Sequence, residues 1–306
     1  MISSTGAASN ERARTSPAQL QLQAHHAIRI RILSKPAVVI EPQAGWRFPD
    51  VAELWRYRDL YAFLVRRNIR VRYSQSVLGV GWAIVQPLFS MIVFTVVFGR
   101  LAGIGSEGVP YSVFSLAALV PWTFFASSLT EATDSMVAQA NLIGKIYFPR
   151  AVLPLAAVTA KGIDFLLAFV MLGAMLAWYG LAPTGAIVYL PLLAIILMSA
   201  ATGAGMWLTA MAVRYRDVKY AMTIVVQLLM YVAPVVYPAS IVPERFRTLY
   251  ALNPMVGVIE GFRAALLATR PFPWMEVAIG GAVAAGLLVW GLLYFSRAER
   301  FFADVA

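Results

Sequence analysis

Two ionisable side chains, Lys161 and Asp164, interrupt a stretch that is otherwise uncharged from residue 151 to residue 213. Three positions apart on a helix, they share a face and can neutralise one another. A charge at the centre of a membrane-crossing helix costs roughly 2.5–3.5 kcal/mol on insertion scales. A retained pair therefore marks a functional position or a helix contact, and both readings stand. Glu131 and Asp134 close the preceding apolar stretch, where they meet headgroups or a cytoplasmic connection. These few carboxylates do not make a catalytic centre, so no catalytic residue is expected. The sequence has no cysteine, which removes disulfides, thiol catalysis and zinc–thiolate sites. His25 and His26 sit together in a polar leader with too few further ligands for a metal, and no metal site is expected. The sequence has no G-x-x-x-x-G-K-[ST] phosphate loop; Gly144-Lys145-Ile146 lacks both the upstream glycine and the following hydroxyl. The chain is thus not expected to hydrolyse ATP.

A second group with chemical potential is a run of arginines. Residues 51–72 read VAELWRYRDLYAFLVRRNIRVR. On a helical wheel Leu54, Tyr57, Leu60, Tyr61, Leu64, Val65 and Val71 fall within roughly 140° of arc. Arg56, Asp59, Arg66, Arg67 and Arg70 cluster opposite, with Phe63 as the misfit. Such a helix lies in the plane of a membrane surface, where arginine attracts anionic headgroups. The expected amphipathic interfacial helix covers 51–76, preceded by a flexible cytoplasmic leader over 1–50, of which 1–45 offers little apolar surface to bury.

The elements that position these groups are membrane helices. Only 13% of the residues are charged, against about 25% in a soluble domain; much of the chain therefore needs no water-facing surface. Mean hydropathy is +0.71. Crossing a bilayer takes roughly 20 apolar residues, and the runs predict six spans, at about 77–101, 109–134, 151–179, 187–212, 220–238 and 276–296. The third and fourth are separated by the breaker cluster Gly180-Leu-Ala-Pro-Thr-Gly185. A coarse all-α membrane fold follows. The net charge of +10 comes from basic residues at the ends of apolar runs, so no nucleic-acid partner is expected.

Orientation follows from Lys and Arg in the short connections. Residues 1–76 hold 12 Lys/Arg against 5 Asp/Glu. Lys145 and Arg150 lie between spans two and three, Arg214, Arg216 and Lys219 between four and five, and Arg297 and Arg300 in the tail, 297–306. Six spans place all of these on one side, with both termini cytoplasmic. The stretch 239–272 is expected to form short re-entrant helices shielded by protein; a periplasmic loop with surface helices is the alternative.

Several motifs now coincide: Tyr73-Ser-Gln-Ser-Val-Leu-Gly-Val-Gly-Trp82 leading into Ala83-Ile-Val-Gln-Pro-Leu88; Asn141-Leu-Ile-Gly-Lys-Ile-Tyr-Phe-Pro-Arg150; Arg214-Tyr-Arg-Asp-Val218; Leu252-Asn-Pro-Met255; and Gly261-Phe-Arg263. Their order and placement resemble the permease subunits of type-2 ATP-binding-cassette exporters, in the branch exporting O-antigen, capsule and teichoic-acid polysaccharides. The resemblance covers roughly residues 50–300. It implies a homodimer in the bacterial inner membrane and two copies of a separate ATPase subunit on its cytoplasmic face. ATP and Mg are then held by that partner, with no cofactor in this chain. It also implies a glycan carried on undecaprenyl pyrophosphate, with membrane lipids as surroundings.

Such a motor needs a handle. Residues 139–150 form the expected coupling helix, in which Leu142, Ile143, Lys145, Ile146, Tyr147, Phe148 and Arg150 meet the partner; a turn tucked against its own spans is the alternative. Arg56, Arg58, Arg66, Arg67, Arg70 and Arg72 are candidates for gripping the carrier pyrophosphate bidentately, although general attraction to anionic lipid explains the same residues. Trp82, Phe89, Phe94, Phe98, Trp122, Phe124, Phe125, Tyr231 and Tyr237 are candidate channel-lining aromatics that stack on sugar rings, or simply lipid-facing packing. Cargo other than glycan (a drug or small lipid), an ion-coupled carrier using Lys161 and Asp164, and a membrane glycan polymerase remain as alternatives.

Overall fold

The computed structural model describes residues 48–74, 77–145, 147–215 and 217–299. Residues 1–47, 75–76, Ile146, Arg216 and 300–306 lie outside the described residues, and with them most of the expected leader and the end of the expected interfacial helix. Asp50 precedes the first described helix. Its carboxylate accepts from the backbone N–H groups of Ala52 (2.9 Å) and Glu53 (3.4 Å) and caps α1, Val51–Arg56. A one-residue break at Tyr57 leads into α2, Arg58–Tyr73.

Among the described residues, five helical stretches are long and apolar enough to cross a membrane: Gly79–Leu101, Tyr111–Ser135, Val152–Trp178, Gly185–Arg214 and Trp274–Ala298. The first contains α3, Trp82–Phe94, whose continuation over Thr95–Leu101 widens to π geometry. The others contain α4 (Tyr111–Ser135), α6 (Val152–Trp178), α7 (Leu190–Arg214) and α11 (Trp274–Ala298). Between α4 and α6 lies α5, Ala140–Ile143. All described regular structure is helical.

The run expected as a fifth span, 220–238, is helical as α8, Asp217–Val232. Sixteen residues rise about 24 Å, less than the ~30 Å hydrocarbon core. The helix stops because Pro234 has no N–H and pushes Ala233 out of the helical region. The irregular backbone that follows is not exposed: Ala233, Val235 and Val236 are buried. Arg263 donates to the Val235 carbonyl (3.0 Å) and the Tyr237 carbonyl (3.2 Å). Non-helical backbone at membrane depth needs this kind of internal satisfaction.

Helix α4 is the core of the bundle. It packs on α6, α7 and α10, Pro254–Leu267, and most of its residues are buried. Every residue of α10 is buried too. Asn253 caps it by accepting from the Met255 N–H (3.1 Å). The preceding α9, Glu244–Ala251, is largely exposed on the single chain, unlike the protein-shielded helix expected there. Helices α7 and α11 touch backbone to backbone. A Cβ on Gly291 would lie 2.1 Å from the Gly203 carbonyl oxygen, and one on Gly203 would lie 2.4 Å from Leu287 carbon. Small residues permit this approach where no hydrophobic effect draws helices together.

The apolar stripe of α2 meets protein. Leu64 is fully buried, and Leu54, Tyr57, Leu60, Tyr61 and Val65 pack with it against Phe148, Ala151, Leu153, Met206 and Phe295. The Tyr61 hydroxyl and the Thr159 hydroxyl share a 2.6 Å hydrogen bond that fastens α2 to α6. Val71 and the misfit Phe63 remain exposed.

Candidate functional site: an ion cluster behind the loop at 139–150

The Lys161–Asp164 pair is half of a four-membered cluster. Lys161 Nζ lies 3.6 Å from Asp164 Oδ2 and 3.2 Å from Glu131 Oε1. Arg72 completes the square, with Nη1 2.8 Å from Asp164 Oδ2 and Nη2 2.9 Å from Glu131 Oε1. The Tyr73 hydroxyl donates to Asp164 Oδ1. Burial, and then the Asp164 carboxylate, push the Tyr73 phenol up to about 12, so it stays a donor throughout the physiological range. Two cations and two anions leave the cluster neutral, which makes partial burial tolerable. Three elements are joined: the end of α2, the last turns of α4, and α6. One turn along α4, Asp134 pairs with Lys219 of α8 at 3.3 Å.

Beside the cluster opens a cavity of about 670 Å³ lined by Arg67, Asn68, Arg72, Glu131, Asp134 and Gln139, among others. Gln139 and Leu142, from the segment 139–150, both line it. Among the described residues of the expected helix 139–150, only Ala140–Ile143 is α-helical, after a 3-10 turn at Val137–Gln139. Gly144 is a poor helix former, and Phe148 precedes Pro149, which drives it to extended backbone. Leu142 and Ile143 are half-buried against the protein's own core, and Phe148 is buried. Lys145 and Tyr147 are exposed. The Tyr147 hydroxyl donates to Glu53 Oε1 (3.4 Å), tying the loop to α1. Burial, with Glu53 adding, raises the Tyr147 phenol above its ordinary value. The Arg150 N–H donates to Glu299 Oε1 (3.1 Å), and its guanidinium donates to the Glu299 carbonyl (2.9 Å). The loop's base is therefore anchored and its tip presented.

The six arginines divide. Arg56, Arg58, Arg66 and Arg70 are exposed, Arg67 lines the cavity, and Arg72 is turned inward into the ion cluster. Arg58 lies over the Trp55 ring, 5.4 Å from its centroid. The aromatics also divide. Trp122 and Phe125 are buried and packed together at 6.0 Å. Phe94 is half-buried, edge-on to Phe98. Phe124 is buried against Phe165. Trp82, Phe89 and Tyr231 face outward from α3 and α8. Tyr237 is half-buried; its hydroxyl donates to the Tyr231 carbonyl (2.9 Å) and accepts from Tyr250 (3.2 Å). The structure does not gather these rings onto one wall of the single chain.

One buried polar network was not anticipated. In α10, Glu260 and Arg263 are both fully buried, 2.9 Å apart. Arg263 lies 3.6 Å from the Phe114 ring centroid and donates to the Phe114 carbonyl at 3.4 Å. Glu260 also accepts from the Ala239 N–H (3.2 Å) and pairs with Arg270 (2.7 Å). This network holds the non-helical stretch after α8 against α4 and α10. Its sequence signal is a Glu–Arg pair three apart in an otherwise apolar 14-residue stretch.

These features coincide with a known family. The model for the ABC-2 type transporter family matches residues 59–267. The chain is 28% identical to the O-antigen export system permease protein RfbA of Klebsiella pneumoniae over 249 residues, 81% of this chain and 95% of that protein. It is 29% identical to the RfbA protein of Myxococcus xanthus over 255 residues, covering 82% and 97%. Similarity to the polysialic acid transport protein KpsM of Escherichia coli is 22% over 209 residues, covering 67% and 80%. A multi-pass helical chain matched over more than two thirds of its length in this way belongs to the ABC-2 type transporter family.

Proposed function

We propose that this chain is the permease of an ATP-driven exporter that moves a polysaccharide, carried on undecaprenyl pyrophosphate, across the bacterial inner membrane. The observation that carries this reading is near-full-length similarity to permeases named for O-antigen export, combined with a loop whose tip, Lys145 and Tyr147, is exposed while its base is fixed. A partner that hydrolyses ATP can push on such a tip, and the anchored base passes the push to α1, α6 and α11. The functional unit is a homodimer with two ATPase subunits. Its support is the unpartnered apolar surface of α3 and α8, where Phe89, Ile92, Ile224 and Leu228 are exposed; a glycan path between two copies would be lined by Trp82, Phe89 and Tyr231.

In the membrane, α8 and its irregular continuation act as a short sixth span. That places both termini in the cytoplasm, α1 and α2 along the inner leaflet, and α9 and α10 re-entering from the outer side. The exposed arginines of α2 attract the carrier's pyrophosphate. The test is export in a host lacking its own O-antigen permease, supplied with this chain, the cognate ATPase and the glycan enzymes. Wild type restores surface polysaccharide. The double change Lys145→Glu with Tyr147→Ala leaves permease and ATPase levels intact and abolishes export. Full export by that variant would overturn the assignment of the loop.

A further inference from the structure

The loop 137–150 has two unlike limbs. One, 147–150, is fixed: Phe148 is buried, and Arg150 is bonded twice to Glu299. The other leaves the buried Met136 through the 3-10 turn Val137–Gln139 and α5. Val137, Ala138, Ala140, Gly144 and Lys145 are exposed along it. Leu142 and Ile143 rest partly on the core, but Ala138, Gln139 and Leu142 line the cavity of about 670 Å³. This limb therefore has room to move where the other has none.

On α2 the cavity begins where packing stops. Leu64 is fully buried. Asn68, Val71 and Arg72 continue the same face at helical spacing and line the cavity, with Arg67 beside them.

The two elements bring complementary groups to this space. Gln139 sits at the joint between the 3-10 turn and α5. Its side-chain carbonyl oxygen is buried and has no hydrogen-bond partner among the described residues. A buried acceptor is normally paired, so this one calls for an explanation. The Arg67 guanidinium has neither an ion pair nor a hydrogen bond among the described residues, whereas Arg72 has two ion pairs. The anions on the cavity are already engaged: Glu131 by Arg72 and Lys161, Asp134 by Lys219.

We propose that the cavity is the travel space of the loop, and that Gln139 and Arg67 are the positioning residues that meet when the loop is pressed. The limb 137–143 then moves inward and the Gln139 carbonyl accepts from the Arg67 guanidinium. Helix shifts of about 1–2 Å are typical of such switches. The movement reaches α2 and, further along that helix, Arg72 of the ion cluster. Gln139 thus has two arrangements, unpaired with the loop out and paired with it in, and a pressing partner biases the second. The inference rests on the reading of the loop as the ATPase contact.

With no native cysteine, the movement can be read by linkage. Asn68→Cys with Ala138→Cys places one thiol on each element and leaves Arg67 and Gln139 intact. The full-length permease with its ATPase subunits is reconstituted in vesicles and oxidised with copper phenanthroline, without nucleotide or trapped with ATP, Mg and vanadate. Mass spectrometry of the linked peptides gives the yield. Linkage within one copy should rise about fivefold on trapping, the lower end of coupling between sites. Gln139→Leu removes the acceptor and should cut both trapped linkage and export per ATP hydrolysed about fivefold. Gln139→Glu keeps an acceptor for Arg67 and should retain both.

Linkage that is equal in the two states, absent from both, or unchanged by Gln139→Leu would overturn the proposal. So would a Gln139→Leu permease that loses folded yield but keeps its ratio of export to hydrolysis. Protection of Lys145→Cys from a maleimide by bound ATPase tests the underlying reading separately. Protection with unchanged linkage removes only the travel of the loop; no protection removes the ATPase contact and this proposal with it.

Discussion

Glu260→Gln removes one charge and almost no volume from a site where Arg263 is wholly buried. The glutamine oxygen still accepts from the Ala239 N–H or from Arg263, so packing is unchanged and the lost quantity is the counterion. Removing one partner of a buried ion pair costs about 3–5 kcal/mol. Here Arg270, partly exposed, can turn to water, but Arg263 is held by three carbonyls and the Phe114 ring. Those dipoles offset part of the loss, leaving about 3 kcal/mol. For a chain of this size that corresponds to a drop of about 6–12 °C in thermal midpoint. Arg263→Met alone behaves differently. Glu260 keeps Arg270, and the cost is the orphaned carbonyls of Val235 and Tyr237, about 1–3 kcal/mol. The double variant has no buried unpaired charge, so its loss should fall about 2 kcal/mol short of the sum of the singles. The assay is the fraction of monodisperse permease surviving a temperature series in detergent. A Glu260→Gln midpoint equal to wild type, or strictly additive losses, would refute the claim that this pair secures the stretch after α8.

Three further outcomes are expected. Gly291→Val drives a side chain into the Gly203 carbonyl and should abolish folded yield, while Gly286→Ala, in open space on the same helix, should be tolerated; size-exclusion profiles of membrane extracts check both. Asp164→Asn leaves Arg72 and Lys161 sharing Glu131, costing about 1–2 kcal/mol after discounting for exposure. Export should fall and partly recover when Lys161→Met restores charge balance, read as surface polysaccharide. Burial raises the Glu299 carboxyl above its ordinary value of 4.5, against the pull of Arg150. A raised folded value contributes stability that is complete below the unfolded value and is lost as pH rises through the folded one. Glu299→Gln should therefore match wild type near pH 4 and exceed it increasingly above about 4.5; a difference independent of pH would count against the burial.

The long apolar runs were legible because length and uncharged composition are local properties. Five of them became helices long enough to span, while Pro234 lies inside the run expected as a fifth span and stops α8 at Val232. The ion cluster was half visible. Lys161 and Asp164 declare each other by spacing on one helix, but Arg72 and Glu131 come from elements 92 and 33 residues away from Asp164 in sequence, and only the packing of α2 and of α4 against α6 brings them in. Hydropathy cannot tell a lipid-facing stripe from a protein-facing one, which is why the apolar face of α2 carried no hint that Leu64 would be fully buried. In the coupling loop the same ambiguity separates Tyr147, exposed, from its neighbour Phe148, buried. The aromatic set suffers most: in one chain its members face both core and exterior, and a wall between copies is not written in any single copy's periodicity.

The most direct measurement uses the natural absence of cysteine. Lys145→Cys places the only thiol at the tip of the loop, and a membrane-impermeant maleimide reports which side it occupies. Labelling confined to inside-out vesicles, and blocked when the ATPase subunit is bound, is the outcome required of a loop driven from the cytoplasm. Labelling of intact cells whose outer membrane has been permeabilised would put the tip on the far side, beyond reach of any ATP-hydrolysing partner.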